Sequence, residues 1–271
     1  MKPLLLTRQP VAEQEPPLPS WVIGRCTTQS SYFHGRCGGE GARRLLVRGA
    51  ALRGREHAQS GRHGQDAIGA VWNESRGVLY LAVADGVGSL VDSDRAAHAA
   101  VRQALSLCRD LPVRADFATH VGEMFREIGR ALRASPDTAG GATTLVVAEV
   151  RPSPGGAALH VTGVGDSEAW LLADGGWMPL HHERDDARGN ATRSLPGQVP
   201  LRRWQEEVPA GAVLLLASDG FAGAVAQRSP LGAELAARWR VPPAPTEFLV
   251  HVDFHDGYRA DDRGVLAVWI V

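Results

Sequence analysis

The stretch Leu79-Tyr80-Leu81-Ala82-Val83-Ala84-Asp85-Gly86-Val87-Gly88-Ser89 is apolar and β-prone for six residues, then breaks into an acid and a glycine-rich turn. A short apolar run bounded by turn residues reads as a buried strand, which places Asp85 at a strand end. Val213 to Ala217 leads in the same way into Ser218-Asp219-Gly220, and Leu159 to Gly165 leads more softly into Asp166-Ser167. A carboxylate at the rim of an apolar layer needs a compensating partner. Several such carboxylates converging point to a hard cation, because magnesium, manganese and calcium take oxygen ligands and no His/Cys cluster competes for the role.

The segments around this stretch give it neighbours. Asp66 to Trp72 and Val78 to Ala84 flank Asn73-Glu74-Ser75-Arg76-Gly77, a hairpin-length connection with turn chemistry, so the two strands are expected to be antiparallel. Asp66 opens the first strand and Asp85 closes the second, which puts both acids at one end of the hairpin. Asp92 and Ser93 suit the start of a helix reaching about Arg109. A second helix is expected over Arg114 to Ala134, with Phe117, Val121, Met124, Phe125, Ile128 and Leu132 on one face. Arg44 to Leu52 reads as an edge strand, and further strands are read at Thr143 to Val150, Ala157 to Val164, Ala169 to Ala173, Trp177 to Leu180, Val213 to Ala217 and Val265 to Val271. Helices are read near Leu231 to Trp239 and Thr246 to Phe254. Hairpin-linked strands interrupted by helix pairs predict a layered α+β sandwich rather than an alternating parallel sheet.

Other segments carry less signal. Residues 1 to about 20 hold five prolines and little to bury, and read as an extended leader. Trp21 to Gly41 has no clear period, Arg53 to Gln65 is polar, and residues 181 to 208 are polar and irregular. The organisation expected is a leader over 1–42 and one domain over 43–271.

Composition narrows the classes of function. The 271 residues have a formal net charge of −1, so no global field draws in nucleic acid or an anionic membrane. The apolar runs are too short to cross a bilayer, and the start lacks the apolar core and cleavage site of a secretion signal. Cys26, Cys37 and Cys108 form no even framework, which fits a reducing cytoplasm.

Six motifs then fall in one order: Gln65-Asp66-Ala67, Ala84-Asp85-Gly86-Val87-Gly88-Ser89, Gly140-Gly141-Ala142-Thr143-Thr144, Gly163-Val164-Gly165-Asp166-Ser167, Ala217-Ser218-Asp219-Gly220-Phe221 and Asp261-Asp262-Arg263. Each alone is weak, since Asp-Gly is a common turn, but the ordered set at strand boundaries is specific. From about residue 43 to the C-terminus the chain resembles the bacterial branch of the metal-dependent serine/threonine protein phosphatases, type 2C. The resemblance implies a four-layer αββα sandwich, two antiparallel β-sheets flanked by helices, with Mn²⁺ or Mg²⁺ in the cleft. Two cations about 3.5–4 Å apart activate a bridging water for in-line attack on phosphorus. By position, Asp85 would bridge both ions, the Gly86 carbonyl would bind one, and Asp219 and Asp261 would complete a shell. Asp166 with Asp219 would hold a third, weaker ion, and Asp66 would serve the second. Arg62, four residues before Asp66, matches the family's phosphate-binding arginine, with Arg55 as its rival; a planar guanidinium suits two phosphate oxygens. The implied catalytic set is Arg62, Asp85 and Asp219. The implied substrate is a phosphoprotein of a Ser/Thr kinase, met by a monomer.

Two departures from the family pattern matter. Many members have Glu where this chain has Gln65, and an amide binds a divalent cation less tightly than a carboxylate. That motivates an alternative reading: a catalytically impaired module that binds phosphoproteins. Many eukaryotic members have a His after Asp-Gly as a proposed acid, where this chain has Val87; His57 and His63 are candidates to protonate the leaving group. Blander readings stand beside these. Asp261 and Asp262 fit a solvated turn before the last strand, and alignment alone chooses between them as ligand. Thr143 and Thr144 read as strand residues, and His181 and His182 as ordinary histidines. Cys37 to Arg43 has the spacing of a cysteine-dependent phosphatase loop, but such a loop follows a strand and opens a helix that lowers the thiol pKa, whereas Ser31 to Arg36 reads as a poor strand and Arg43 to Val47 continues as strand-like sequence.

Overall fold

The computed structural model describes residues 15–38, 44–88, 90–181, 193–197, 200–226, 230–254 and 260–271. Twelve strands among them form two antiparallel sheets of six. The first sheet holds β1 (Trp21–Arg25), β4 (Ala67–Asn73), β5 (Val78–Ala84), β6 (Leu145–Ser153), β7 (Gly156–Val164) and β10 (Arg202–Pro209), in the spatial order β1-β4-β5-β6-β7-β10. The second holds β2 (Ser31–Cys37), β3 (Leu45–Leu52), β8 (Glu168–Ala173), β9 (Gly176–His181), β11 (Val213–Ala217) and β12 (Arg263–Ile270), in the order β2-β3-β12-β11-β8-β9.

The inner faces supply one apolar layer, with Ile68, Leu81 and Val83 of the first sheet and Val47, Leu214 and Val268 of the second fully buried in it. Each such side chain contributes about 1.5–3 kcal/mol by leaving water. Helices cover the outer faces. On the first sheet lie α2 (Ser93–Arg109) and α3 (Phe117–Ala134), packing Val101, Leu105, Phe125 and Ile128 against Val71 and Tyr80. On the second lie α4 (Asp219–Val225), α5 (Pro230–Arg238) and α6 (Pro245–Val252), gathered around Trp239 and Trp269. The αββα sandwich is the expected one.

The hairpin register is as read: Ala67 pairs with Ala84, so Asp66 and Asp85 sit at the same end. Arg44 to Leu52, expected at an edge, is instead the inner strand β3, paired with β2 on one side and β12 on the other, because its side chains are buried almost throughout. Three further corrections concern segments with a weak apolar pattern. Trp21 to Gly41, left unplaced, contains β1 and β2, so the sheets begin well before residue 43. The polar run from Arg53 to Gln65 contains α1 (Arg55–Gln59). The segment read as irregular over 181–208 ends in β10, an edge strand on β7 whose Gln205, Glu206 and Glu207 face solvent. The leader also docks in part: Leu18 N–H donates to the Arg36 carbonyl, and the buried Glu15 meets Arg48. Residues 1–14 lie outside the described residues.

Candidate active site

The sheet registers bring the C-terminal ends of β5, β7 and β11 and the N-terminal end of β12 to one edge of the sandwich. There Asp85, Asp166, Asp219 and Asp261 line a single open pocket of ≈ 250 Å³, with Gly86, Gln65, Thr144, His57, Glu56 and Arg62. Two glycines make the approach possible. A Cβ on Gly86 would lie 2.7 Å from the Ser93 carbonyl oxygen, and one on Gly220 would lie 2.0 Å from that of Asp262.

Asp85 is held by its backbone. Its N–H donates to Thr144 Oγ1 at 2.9 Å, and its carbonyl accepts from Thr143 Oγ1 at 2.9 Å and from Thr144 N–H at 2.8 Å. Thr144 Oγ1 in turn meets Ser167 Oγ at 2.6 Å. The two threonines, read as ordinary strand residues, therefore fix the position of Asp85 and leave its carboxylate free to face the pocket. The general enrichment of threonine in strands masks this role.

The carboxylates are poorly matched to one another without a cation. Burial, then the charges of Asp66 and Asp219, raise Asp85 well above the ordinary carboxylate range. Burial, then Asp166 and Asp261, raise Asp219, whose carboxyl group lies within hydrogen-bonding reach of that of Asp85. Burial likewise raises Asp261. Among the described lining residues the basic side chains are His57 and Arg62, and Arg62 is already bonded to Glu56 at 2.9 Å. Buried acceptors without a hydrogen-bond partner, Gln65 Oε1 and Asp66 Oδ1, add to the surplus of negative density. Oxygen donors in excess around a small pocket fit a hard divalent cation.

Asp66 stands apart from the other acids. It does not line the pocket but is buried behind it, where Ser218 Oγ donates to its Oδ2 at 2.6 Å and Gly264 N–H donates to the same serine oxygen at 2.9 Å. Burial, then the charge of Asp262, pushes its carboxyl well up. Ser218 is a positioning residue that the sequence did not single out.

The structure also separates Asp261 from Asp262. Asp262 is buried and accepts from Gly54 N–H at 2.6 Å, Gln65 N–H at 2.6 Å and His57 Nδ1 at 2.8 Å, while Asp261 lines the pocket. His57, Asp261 and Asp262 offer ligand atoms within 4.8 Å of one another, a group of metal-binding type among the described residues. Of the two arginines, Arg62 lines the pocket and Arg55 a neighbouring one. Of the two histidines, His57 lines it, whereas His63 is exposed and faces Asp94. Contrary to expectation a strand, β2, does lead into Cys37, but burial pushes its thiol up to about 12, the opposite of an activated nucleophile. Residues 39–43 of that motif and the side chains of His181 and His182 lie outside the described residues.

Comparison with known proteins agrees with this fold. The structure is similar to the serine/threonine phosphatase PstP/Ppp of Mycobacterium tuberculosis, with a TM-score of 0.61 and 20% identity over 83% of this chain and 98% of that one. The serine/threonine phosphatase of S. agalactiae gives 0.63 and 16% over 84% and 100%. The catalytic domain of PstP in complex with two manganese ions gives 0.59 and 18% over 93% and 99%. At these identities the likeness is one of fold. No curated protein sequence matches the chain. The protein phosphatase 2C family model, however, matches residues 53–250, which take in the Gln-Asp, Asp-Gly, Gly-Asp-Ser and Ser-Asp-Gly motifs around the pocket, and the chain belongs to that family.

Proposed function

We propose that the protein is a metal-dependent phosphatase that removes phosphate from phosphoserine or phosphothreonine of a protein substrate. The observation that carries this reading is the gathering of Asp85, Asp166, Asp219 and Asp261 on one pocket that also presents Arg62. Asp85, Asp219, Asp261 and the Gly86 carbonyl would hold two Mn²⁺ or Mg²⁺ ions, with Asp66, whose buried Oδ1 has no hydrogen-bond partner, serving the second, and Asp166 with Asp219 would hold a third. Such ions supply Lewis-acid activation of water and neutralise charge developing on the phosphoryl group.

The chain's own residues do the rest. Arg62, steadied by Glu56 and by Ser60 Oγ at 3.1 Å, would orient the phosphate through its planar fork. His57 has its Nδ1 bonded to Asp262, which leaves Nε2 as the ring's second proton site, suited to protonating the leaving seryl or threonyl oxygen. The substrate would come from a Ser/Thr kinase, and the enzyme would act as a monomer in a bacterial cytoplasm. Three free cysteines support that compartment, and no described helix is long and apolar enough to cross a membrane.

The test is hydrolysis of an aryl phosphate with Mn²⁺ titrated in. Activity is expected to require the metal and to fall about 100- to 1,000-fold in Asp85→Asn and in Asp219→Asn, the scale of removing a principal electrostatic contribution. No turnover at any Mn²⁺ concentration would overturn it. Gln65 favours one second reading, a phosphoprotein-binding module with impaired catalysis, because its amide faces the pocket where a carboxylate would bind a cation more tightly. Calorimetry distinguishes the two: the module predicts phosphopeptide binding with a single weak metal.

A further inference from the structure

A second concavity, ≈ 710 Å³, lies on the outer surface beside α3. The helix lines it with Gly122, Arg126, Gly129, Arg130 and Arg133, positions that recur at helical spacing on one face, and β10 adds Arg203. The two glycines leave room between the longer side chains. The groove has an apolar element as well: Phe125 and Leu195 are buried beneath it, and Leu201 is half-buried.

The charge on this groove is one-sided. Among the described residues Arg126 and Arg130 both pair with Glu123, and their side chains remain 70% and 63% exposed. Arg133 donates to the Pro196 carbonyl and Arg203 to the Ala118 carbonyl, neither of which neutralises a guanidinium. Among the described residues four arginines and no acid line the concavity, with Glu123 beside Arg126 and Arg130; on a chain whose formal net charge is −1, that makes a local cationic groove rather than a general basic surface. Guanidinium groups around an apolar floor fit carboxylates interspersed with hydrophobic side chains. A nucleic-acid backbone would call instead for an extended basic track.

The groove is also joined to the pocket. Leu195 in its floor pairs with Thr143 through two backbone hydrogen bonds, N–H to O at 2.9 and 2.8 Å, and Thr143 Oγ1 holds the Asp85 carbonyl. We propose that this groove docks an acidic segment of the phosphoprotein substrate, outside the phosphorylated residue, so that binding strength resides in a region the phosphate pocket does not touch. The proposal rests on the phosphatase reading for the identity of its ligand, but not for its test.

The test uses the full chain and a synthetic acidic peptide, unphosphorylated, carrying Asp, Glu and Leu, with binding read by fluorescence anisotropy. The peptide is expected to bind, more weakly as salt rises, and to lose about ten-fold or more in affinity in Arg126→Glu combined with Arg130→Glu, as two charge reversals at exposed sites predict. The same peptide extended with phosphoserine should show a KM raised by a similar factor in that variant, with aryl-phosphate kcat/KM unchanged. Loss of aryl-phosphate turnover in the native protein would defeat the phosphatase reading and leave the anisotropy result standing. Equal affinity for the acidic peptide and a neutral one, no effect of the double variant, or tighter binding of a DNA oligonucleotide or an anionic vesicle would each overturn the docking assignment. Unchanged circular dichroism verifies that the variant folds.

Discussion

Asp219 shows how a single residue can be costly to the fold and necessary to the site. Burial and the charges of Asp166 and Asp261 raise its pKa above the unfolded value of about 3.9. The folded state therefore holds its proton to higher pH than the unfolded state does. Metal-free, the protein loses stability as pH rises from the unfolded value through the folded one, and above that the penalty is complete. Asp219→Asn removes one of the repelling charges. Near neutral pH in a chelator the variant is expected to melt higher than the native protein, by about 2–4 °C for each kcal/mol relieved in a chain of this size. Mn²⁺ should raise the native Tm and leave that of Asp219→Asn nearly unchanged. A variant that melts lower in chelator would show that the protein itself satisfies the carboxylate. The position of this residue was legible because the apolar run before it ends abruptly. The role of Ser218 was not, since a serine beside Asp-Gly looks like any other turn residue.

At the scale of elements, the loop and short helix before β4 are held by one side chain from the far end of the chain. Asp262 accepts from Gly54 and Gln65 N–H groups and from His57, spanning α1 from its start to the residue before Asp66. Hydrogen bonds to a charged acceptor contribute about 1.5–3 kcal/mol each, and removing the acceptor leaves buried donors unpaired. Asp262→Ala should thus lose about 3–5 kcal/mol, seen as a lower urea midpoint at unchanged slope, and should lower aryl-phosphate kcat by displacing His57 and Arg62. An unchanged midpoint would mean that other contacts hold the segment. Neither α1 nor the role of Asp262 could be read beforehand. The helix has five residues, too few for an apolar period, and Asp261 and Asp262 differ only in what folds against them. The long helices α2 and α3 and the inner strands were legible because they bury a full face. The edge strands β1 and β10 pair on one side only and carry mixed or polar residues, so no alternation marked them.

For the whole molecule, the organisation of the sandwich extends to a segment that composition alone assigns to a leader. Arg48 lies in β3, 1% exposed, and donates to Glu15 Oε1 and to the Pro243 carbonyl, which ties the N-terminal segment, the second sheet and the approach to α6 together. Burial pulls the Arg48 guanidinium down from its ordinary value and the Glu15 carboxylate pulls it back. Five prolines hid this docking, because a Pro-rich segment reads as extended whether or not it packs. Breaking a buried ion pair on one side leaves the other charge uncompensated, at a cost of about 3–5 kcal/mol. Glu15→Gln, or removal of residues 1–20, should therefore lower the unfolding free energy by that amount. Arg48→Met combined with Glu15→Leu should recover much of it, since an apolar pair of similar volume avoids the desolvation of both charges. A truncated protein that unfolds at the native denaturant midpoint would place the N-terminal segment outside the cooperative fold.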